Sequence, residues 1–512
     1  MPTQQLNHLI SGLEIIDMVG PVDIPITGIA YHSKTVRPGY LFVALKGAGQ
    51  DGHAFIPEAV KAGAAAVLGE DTAPAAFPAT FIRVRRSRPA LAQVAARFFA
   101  NPSKSIPVVG ITGTNGKTTT TYIIESILNQ AGFRPGIIGT INYRFAQTVL
   151  KASHTTPESL DLQQLLVTMV EEDVSHVVME VSSHALDQDR VEGIDFDIAV
   201  FTNLTQDHLD YHKTIERYSK SKAKLFSQFL TRGEAGRQKV AVINSDDPFG
   251  LRLVELTAAN VIRYGLEGSR DITVERIVLS RDGIAGRLKT AAGDIDFRTR
   301  LLGRFNLYNI MAATGVTLSL GIAPEAIESG LACLAAVPGR LEPVETGTDV
   351  TILVDYAHTP DALEKTLASV RPLAPARVLT VFGCGGNRDR GKRPLMGRIA
   401  ALLSDVVIVT SDNPRCEEPQ EIVNEILPGI QEAGVPRIEA SAAVEEKGYV
   451  VVLDRRNALE LALSLARKGD TVVVAGKGHE DYQEFADYRI HFSDQEVVIE
   501  WNKARNRKKK NG

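Results

Sequence analysis

A glycine-rich stretch, Gly110-Ile-Thr-Gly-Thr-Asn-Gly-Lys-Thr118, joins an apolar run, VVGIT, to a helix-length run, TTTTYIIESILNQAG. Glycines let a backbone approach a phosphate chain closely, and a helix N-terminus supplies free N–H groups and a partial positive charge. Strand, glycine loop, GKT and helix in that order predict a phosphate-binding loop. Lys117 is then expected to neutralise β and γ oxygens, and the Thr118 hydroxyl suits Mg²⁺. The loop is not a strict GxxxxGK[ST], because Ile111 stands five residues before Gly116. The alternative is a chance glycine-rich turn, and the ordered series of features argues against it.

Around this loop, apolar β-rich runs alternate with amphipathic stretches of helical length, the pattern of βαβ units and parallel sheets. The 512 residues suggest roughly three domains. The turn-rich segment ANPSKSIP marks one boundary and the Pro-Gly pair of LAAVPGRLEPVE a second, giving units 1–105, 106–339 and 340–512. In the first, YLFVALKG reads as a strand and EAVKAGAAAV as an alanine-rich helix. In the last, TILVDYAHTP, RVLTVFGCGGN, DVVIVTSDNPR and DTVVVAGKGHE are four strands, each ending in a polar cluster. A doubly wound sheet would bring those clusters to one edge, outside the carboxyl ends of its strands.

Composition excludes several other classes. A formal net charge of -4 gives no bulk basic field for nucleic acid. Cys333, Cys384 and Cys416 show neither CxxC pairing nor metal-ligand spacing, which fits a reducing, cytoplasmic setting. No basic n-region with an apolar core opens the chain, and no run of 18 apolar residues exists to span a membrane. The basic C-terminus, NKARNRKKKNG, reads as a solvated, frayed tail, with contact to an anionic partner as the lesser alternative.

Three further segments carry candidate chemistry. Glu180, in MEVSSHALDQDRV, ends a buried strand where a carboxylate can hold a cation near phosphates. FTNLTQDHLDYH sets two acids and two histidines on a loop after a strand. YSKSKAKLF places three lysines on a helix, of which Lys220 and Lys224 read as a solvated basic face.

The loop GTNGKTT resembles that of the Mur ligase family, and the likeness covers nearly the whole chain. Asp412-Asn413-Pro414-Arg415 matches the DNPR form of the diaminopimelate-adding members; an arginine fork suits a carboxylate that lysine lacks. The resemblance implies three α/β domains: a small N-terminal UDP-binding domain, a central P-loop domain with a mostly parallel sheet, and a C-terminal Rossmann-like domain. It implies an ATP-dependent amide ligase that adds meso-2,6-diaminopimelate to UDP-N-acetylmuramoyl-L-alanyl-D-glutamate through an acyl phosphate, releasing ADP and phosphate. The partners expected are small molecules only, and the chain is expected to be a monomer.

The same resemblance distributes the site residues. ATP would meet Gly113, Thr114, Asn115, Gly116, Lys117, Thr118 and Thr119, with Asn306 and Asn309 on the adenine side and Arg340 and Asp355 reaching in from the third domain. Thr118 and Glu180 would hold one Mg²⁺; His208 and a CO₂-derived carbamate on Lys222 would hold a second. Lys117, Lys222 and His208 are the expected catalytic residues. Ser33, Ala48, Gly49 and Gln50 match the UDP contacts, although His32-Ser33-Lys34 stands where the family usually has DSR. Thr155, Thr156, Ser182, Gln188 and Arg190 match contacts to the muramoyl-dipeptide. Arg388, Asp412, Asn413, Pro414, Arg415, Gly476 and Glu480 form the implied diaminopimelate pocket, with Glu480 for the distal ammonium. Two other functions stay open at this level: folylpolyglutamate synthase, which shares the ligase core, and a non-catalytic nucleotide sensor. The UDP-type N-terminal segment and DNPR argue against the first, and the intact Lys117, Thr118, Glu180, His208 and Lys222 against the second.

Overall fold

The computed structural model describes residues 3–47, 49–230 and 237–511. Its three α/β units each wrap a sheet of their own. The N-terminal sheet runs Ile15–Val19, Thr80–Val84, Ala66–Gly69, Tyr40–Val43, Gly28–Ala30 in spatial order, parallel except at the Ile15–Val19 edge. The expected helix over EAVKAGAAAV is only half present. Ile56–Lys61 is helical, the chain turns at Gly63 (φ 99°), and Ala66–Gly69 is a strand. Ala66, Val67 and Leu68 are fully buried between neighbouring strands, so tertiary packing overrides alanine's helical preference.

The central sheet has eight strands. Six are parallel, in the order Pro135–Ile138, His176–Glu180, Val108–Thr112, Ile198–Phe201, Val240–Asn244, Asn260–Tyr264. A hairpin, Asn142–Phe145 with Thr148–Lys151, extends one edge antiparallel. Both faces are covered, so these strands read as continuous apolar runs rather than as alternation. A three-stranded antiparallel sheet, Thr273–Ser280, Gly283–Thr290 and Gly293–Thr299, packs Val274, Ile284 and Leu288 into the same core as the buried helix Asn306–Ser319.

The four strands expected in the last region are neighbours in one sheet: Thr351–Asp355, Thr471–Ala475, Val378–Phe382, Val406–Val409. Gly448–Val451 adds a fifth parallel strand, and Glu342–Pro343 an antiparallel edge. Apolar clusters cover both faces, which makes this a doubly wound sheet. No described helix is long and apolar enough to cross a membrane.

The basic C-terminus is not a frayed tail over its described length: helix Asp494–Asn511 runs through it. Burial at the start of that helix is the cause. Val497 and Val498 enter the third core, and Asp494 forms a two-point ion pair with Arg455, Nε–Oδ1 and Nη2–Oδ2 both 2.8 Å, with both side chains fully buried. Removing one partner leaves a buried charge uncompensated, at a cost of about 3–5 kcal/mol. Asp494→Ala should therefore destabilise the C-terminal domain by about that amount in urea unfolding. The single tryptophan, Trp501, lies on this helix and reports the transition. A loss below about 1 kcal/mol would show that the pair does not anchor the helix.

Candidate functional site

The strand Val108–Thr112 ends in the glycine loop, and helix Lys117–Gln130 begins directly after Gly116 (φ 90°). The neighbouring strand end holds the loop in shape. Asn203 accepts from the Asn115 N–H (3.0 Å) and donates to its carbonyl (3.1 Å), and the Thr114 N–H donates to the Asn203 carbonyl (2.8 Å). The Thr202 hydroxyl donates to the Asn115 carbonyl at 2.6 Å. Gly113 has φ 148°, and a Cβ there would meet Thr202 Oγ1 at 1.8 Å, so no other residue fits. The Lys117 amine donates back to the Gly113 and Thr114 carbonyls at 2.8 and 2.9 Å. Burial lowers its pKa, aided by Arg340 and opposed by Glu180 and Asp207.

Glu180 ends the adjacent strand and is buried. It accepts from the Thr140 N–H (2.9 Å), the Thr140 hydroxyl (2.8 Å) and the Thr118 hydroxyl (3.1 Å). Arg340, from the third domain, donates to Thr118 Oγ1 at 3.2 Å while lying over the Tyr356 ring. Lys222 is 1% exposed, and its amine donates to the same Gly113 carbonyl at 2.8 Å while sitting 4.4 Å above the Tyr218 ring. Burial drives its pKa well down, Lys117 adds to the effect, and Asp207 opposes it. His208 stands in a left-handed turn (φ 53°) beside Asp207, 3.3 Å away. Burial, His184, Lys222 and Lys117 bring its pKa to about 4 against the pull of Asp207, so the imidazole is neutral at pH 7. The hydroxyl of Thr118 and the carboxylate of Glu180 are oxygen donors that suit a hard divalent cation, and a neutral imidazole adds a nitrogen lone pair that a cation can use. Lys224 departs from the solvated face expected of it: its amine donates to the Leu186 carbonyl (3.1 Å) and lies 3.8 Å from Asp189. Lys220 is exposed.

Two cavities meet beside this loop. The larger, about 760 Å³, is lined by Asn115, Gly116 and Thr119 of the loop, by Asn309, Arg340 and Asp355, and by Ile284, Phe305, Tyr308 and Leu373. Asn306 stands behind Asn309, accepting from its amide at 2.7 Å and donating to the Leu302 carbonyl, and does not line the cavity. Asp355 is occupied by the Leu341 and Ala357 N–H groups and the Thr366 hydroxyl. The smaller cavity, about 530 Å³, is lined by Asp207, His208, Arg388, Asp412, Asn413, Arg415, Gly476 and Glu480. Tyr356 and His358 line both. Helix Pro360–Val370 of the third domain clasps the loop through Asp361, which accepts from Asn115 (2.7 Å) and Thr205 (3.3 Å).

Within the smaller cavity, Arg388 is exposed and bonds only its neighbour's carbonyl, Asn387 O at 3.3 Å. Pro414 does not line the cavity; its carbonyl packs against Gly386. Arg415 is already paired, with Nε on Glu484 (2.9 Å) and Nη1 on the Gly386 carbonyl (2.9 Å). Gly476 (φ 116°) leaves room for Asp412, whose carboxylate a Cβ would meet at 2.5 Å. Burial and Asp412 push the Glu480 carboxyl up, opposed by Lys477 and the Asn413 amide. Sequence reasoning missed Lys477, Glu484, His358 and Asp361; GKGHE after a strand is the one signal that pointed near the first.

The expected dipeptide contacts form one bonded chain. Thr156 donates to the Glu180 carbonyl (2.8 Å) and accepts from the Ser182 N–H (3.0 Å), and Thr155 meets Thr140 (3.2 Å). Arg190 donates to the Thr156 carbonyl and to Gln188, and faces Glu158 at 3.6 Å. Among the expected UDP contacts, Ser33 and Gln50 bond to partners outside this chain of residues. Ser33 donates to Glu58 (2.9 Å), the Gln50 carbonyl closes a turn onto Gly47 (2.9 Å), and Gly49 has nothing within 4 Å of a built Cβ. Ala48 lies outside the described residues. Tyr31 donates to Asp161 (2.7 Å), and with Arg88–Glu158 (2.8 Å) it joins the N-terminal domain to the central one.

Family models match three successive parts of the chain: the Mur ligase family catalytic domain over 25–99, the Mur ligase middle domain over 111–317, and the Mur ligase glutamate ligase domain over 339–478. The chain is 49% identical over 482 residues to the UDP-N-acetylmuramoyl-L-alanyl-D-glutamate–2,6-diaminopimelate ligase of Geobacter metallireducens, covering 94% of each. A solved structure of a ligase of that name matches with TM-score 0.69 at 30% identity, over 99% of this chain and 100% of the other. The folylpolyglutamate synthase of Mycobacterium tuberculosis shares the fold at 18% identity, with TM-score 0.62 over 76% of this chain and 92% of the other.

The fit at Gly113 gives a direct test of the loop. Gly113→Ala should weaken nucleoside triphosphate binding roughly 5- to 150-fold, the equivalent of about 1–3 kcal/mol of backbone strain. Calorimetric titration with the nucleotide measures it, with circular dichroism as the check on folding. Unchanged affinity in a folded variant would mean that the loop does not cradle phosphate.

Proposed function

The chain belongs to the Mur ligase family, and on that premise we propose that its two cavities are the nucleotide and amino-acid sites of one amide-forming reaction. It is an ATP-dependent ligase that adds meso-2,6-diaminopimelate to UDP-N-acetylmuramoyl-L-alanyl-D-glutamate in peptidoglycan precursor synthesis. We read the units 1–105, 106–339 and 340–512 as precursor-binding, nucleotide-binding and amino-acid-binding domains. The observation that supports this reading best is the shared wall of Tyr356 and His358, with a phosphate loop on one side and a cavity lined by both guanidiniums and carboxylates on the other.

A carboxylate does not accept an amine at neutral pH. In the proposed sequence the precursor carboxylate oxygen attacks the γ-phosphorus and the β–γ bridge breaks, giving an acyl phosphate and ADP. The amine of diaminopimelate then forms the C–N bond, inorganic phosphate leaves, and the ammonium proton passes to solvent. Catalysis rests on positioning and on charge placed where it develops. Lys117 and Arg340 supply positive charge at the phosphate end, and the Thr156–Ser182–Arg190 chain orients the acceptor. Thr118 and Glu180 would hold one Mg²⁺ and His208 and Lys222 a second. Bound there, the ions would neutralise phosphate oxygens. A neutral amine is the form that attacks CO₂, and the burial that lowers the Lys222 pKa supplies it. In that step an N–C bond forms, one C=O π bond of CO₂ opens, one proton leaves to solvent, and the neutral amine becomes an anionic carbamate.

The deciding assay is phosphate release with the UDP-linked dipeptide, comparing diaminopimelate with lysine. Arg415→Ala should lower kcat/KM for diaminopimelate by about 30-fold, the low end for losing a buried charge partner, because Arg415 is part-exposed and Glu484 keeps Arg489 as a second partner. An unchanged diaminopimelate-to-lysine ratio would move selection elsewhere, to Arg388. Lys222→Ala should be inactive and partly restored by a short carboxylic acid in the buffer. Full activity without the acid would contradict the carbamate role.

A further inference from the structure

Lys477 is a fully buried lysine directly behind Asn413 and Glu480, which line the amino-acid cavity, and no step of the reaction derived above uses it. Its amine donates to Asn413 Oδ1 at 3.0 Å and to Glu480 Oε2 at 3.2 Å, and lies 3.6 Å from Asp412. Asn413 in turn donates to the same Glu480 oxygen at 2.8 Å and accepts from the Glu484 N–H at 3.0 Å. One ammonium thus ties together three residues of the pocket, from two loops that end different strands. We infer that Lys477 is a positioning residue that aims the Glu480 carboxylate into the cavity and holds it ionised beside Asp412, so that the pocket accepts an ammonium group.

The physics follows from two acids sharing a buried corner. Asp412 and Glu480 repel as anions, and burial penalises both. Glu480 is pushed toward its protonated form by burial and by Asp412, and Lys477 and Asn413 pull it back. The other charged or titratable groups facing this corner are the phenols of Tyr356 and Tyr482, Arg489 from the 482–491 hairpin, and Arg455, whose guanidinium is already taken by Asp494. Lys477 is the cation in direct hydrogen-bond contact with Glu480. Without it the carboxyl takes up a proton at higher pH, and a neutral carboxyl holds an ammonium far less well than a carboxylate does.

The inference rests on the reading of this cavity as the diaminopimelate site, and wild-type turnover tests that reading first. If wild-type enzyme does not use diaminopimelate, the cavity reading fails. If it does, Lys477→Met decides the present point. Lys477→Met should raise the KM for diaminopimelate on the order of 30-fold, with the KM for ATP and for the UDP-linked dipeptide within about twofold. The acid limb of kcat/KM for diaminopimelate should move to higher pH, because Glu480 must be ionised to work and now binds its proton more tightly. Equal changes in all three KM values, an unchanged diaminopimelate KM, or an unmoved acid limb would overturn the inference. Glu480→Gln provides the second arm and serves if Lys477→Met does not fold. That variant should lose the wild-type acid limb, and where both variants fold, adding Lys477→Met to it should raise the diaminopimelate KM little further. An acid limb that persists in Glu480→Gln, or full additivity of the two changes, would overturn it as well.

Discussion

The carbonyl of Gly113 is the point on which the site depends. It is buried and accepts the amines of both Lys117 and Lys222 at 2.8 Å, with Lys222 fully buried and Lys117 part-buried. Two ammonium groups converging on one buried oxygen repel, and burial already penalises each charge. Lys222 responds most: burial, with Lys117 adding to it, holds its pKa well below the usual lysine range, which favours the neutral amine beside the phosphate loop. This carbonyl can face inward only because residue 113 has no side chain: the space a Cβ would take belongs to Thr202. Thr202 and Asn203, at the end of the next parallel strand, in turn fix Asn115 and Thr114. Sheet order, loop shape and lysine chemistry therefore form one chain of cause.

The third domain completes what the central one begins. Arg340 reaches Thr118, and Asp361 reaches Asn115 and Thr205, so two residues of one domain make three hydrogen bonds to the loop of another and the segment beside it. A further surface pair, Lys151 with Asp481, spans the same gap but is exposed and contributes little. Because Asp361 accepts from the Asn115 amide, that side chain of the loop is held in place where it lines the larger cavity. Tyr356 and His358 then stand between the larger and the smaller cavity, with His358 kept neutral at a pKa of about 4 by burial and Lys392.

What the sequence made legible was the part governed by local rules. The loop needed only its glycines, Lys117 and the flanking strand and helix to be read. The four strands of the last region were plain because parallel strands buried on both faces are continuous apolar runs. Residues 58–67 misled because their alanines favour a helix in isolation, whereas the turn at Gly63 and burial between strands decide the outcome. The three-stranded sheet over 273–299 was not read at all, since its strands lie at the surface and bury few residues each. Lys477 and Glu484 escaped for another reason: their roles come from partners 64 and 69 residues away, which no local pattern encodes. Asn306 was expected on the adenine side beside Asn309; its place behind Asn309, out of the cavity lining, is a matter of packing that no local pattern encodes.

The amino-acid cavity also changes the account of selectivity that Arg415 suggests alone. A guanidinium left unpaired by the wrong substrate would be a strong filter, yet Arg415 already holds Glu484, which itself holds Arg489. An arginine so paired can tolerate an empty position opposite it. Discrimination must then come from the whole set of charges around the substrate. Arg388 and Arg415 offer two guanidiniums to the cavity, and Asp412 and Glu480 two carboxylates. A zwitterionic terminus satisfies both kinds of charge at once. Lysine brings the ammonium alone at that end and leaves the guanidiniums beside a charge of their own sign. In a confined cavity that like-charge contact is unfavourable on its own, without any need for a desolvated, orphaned arginine.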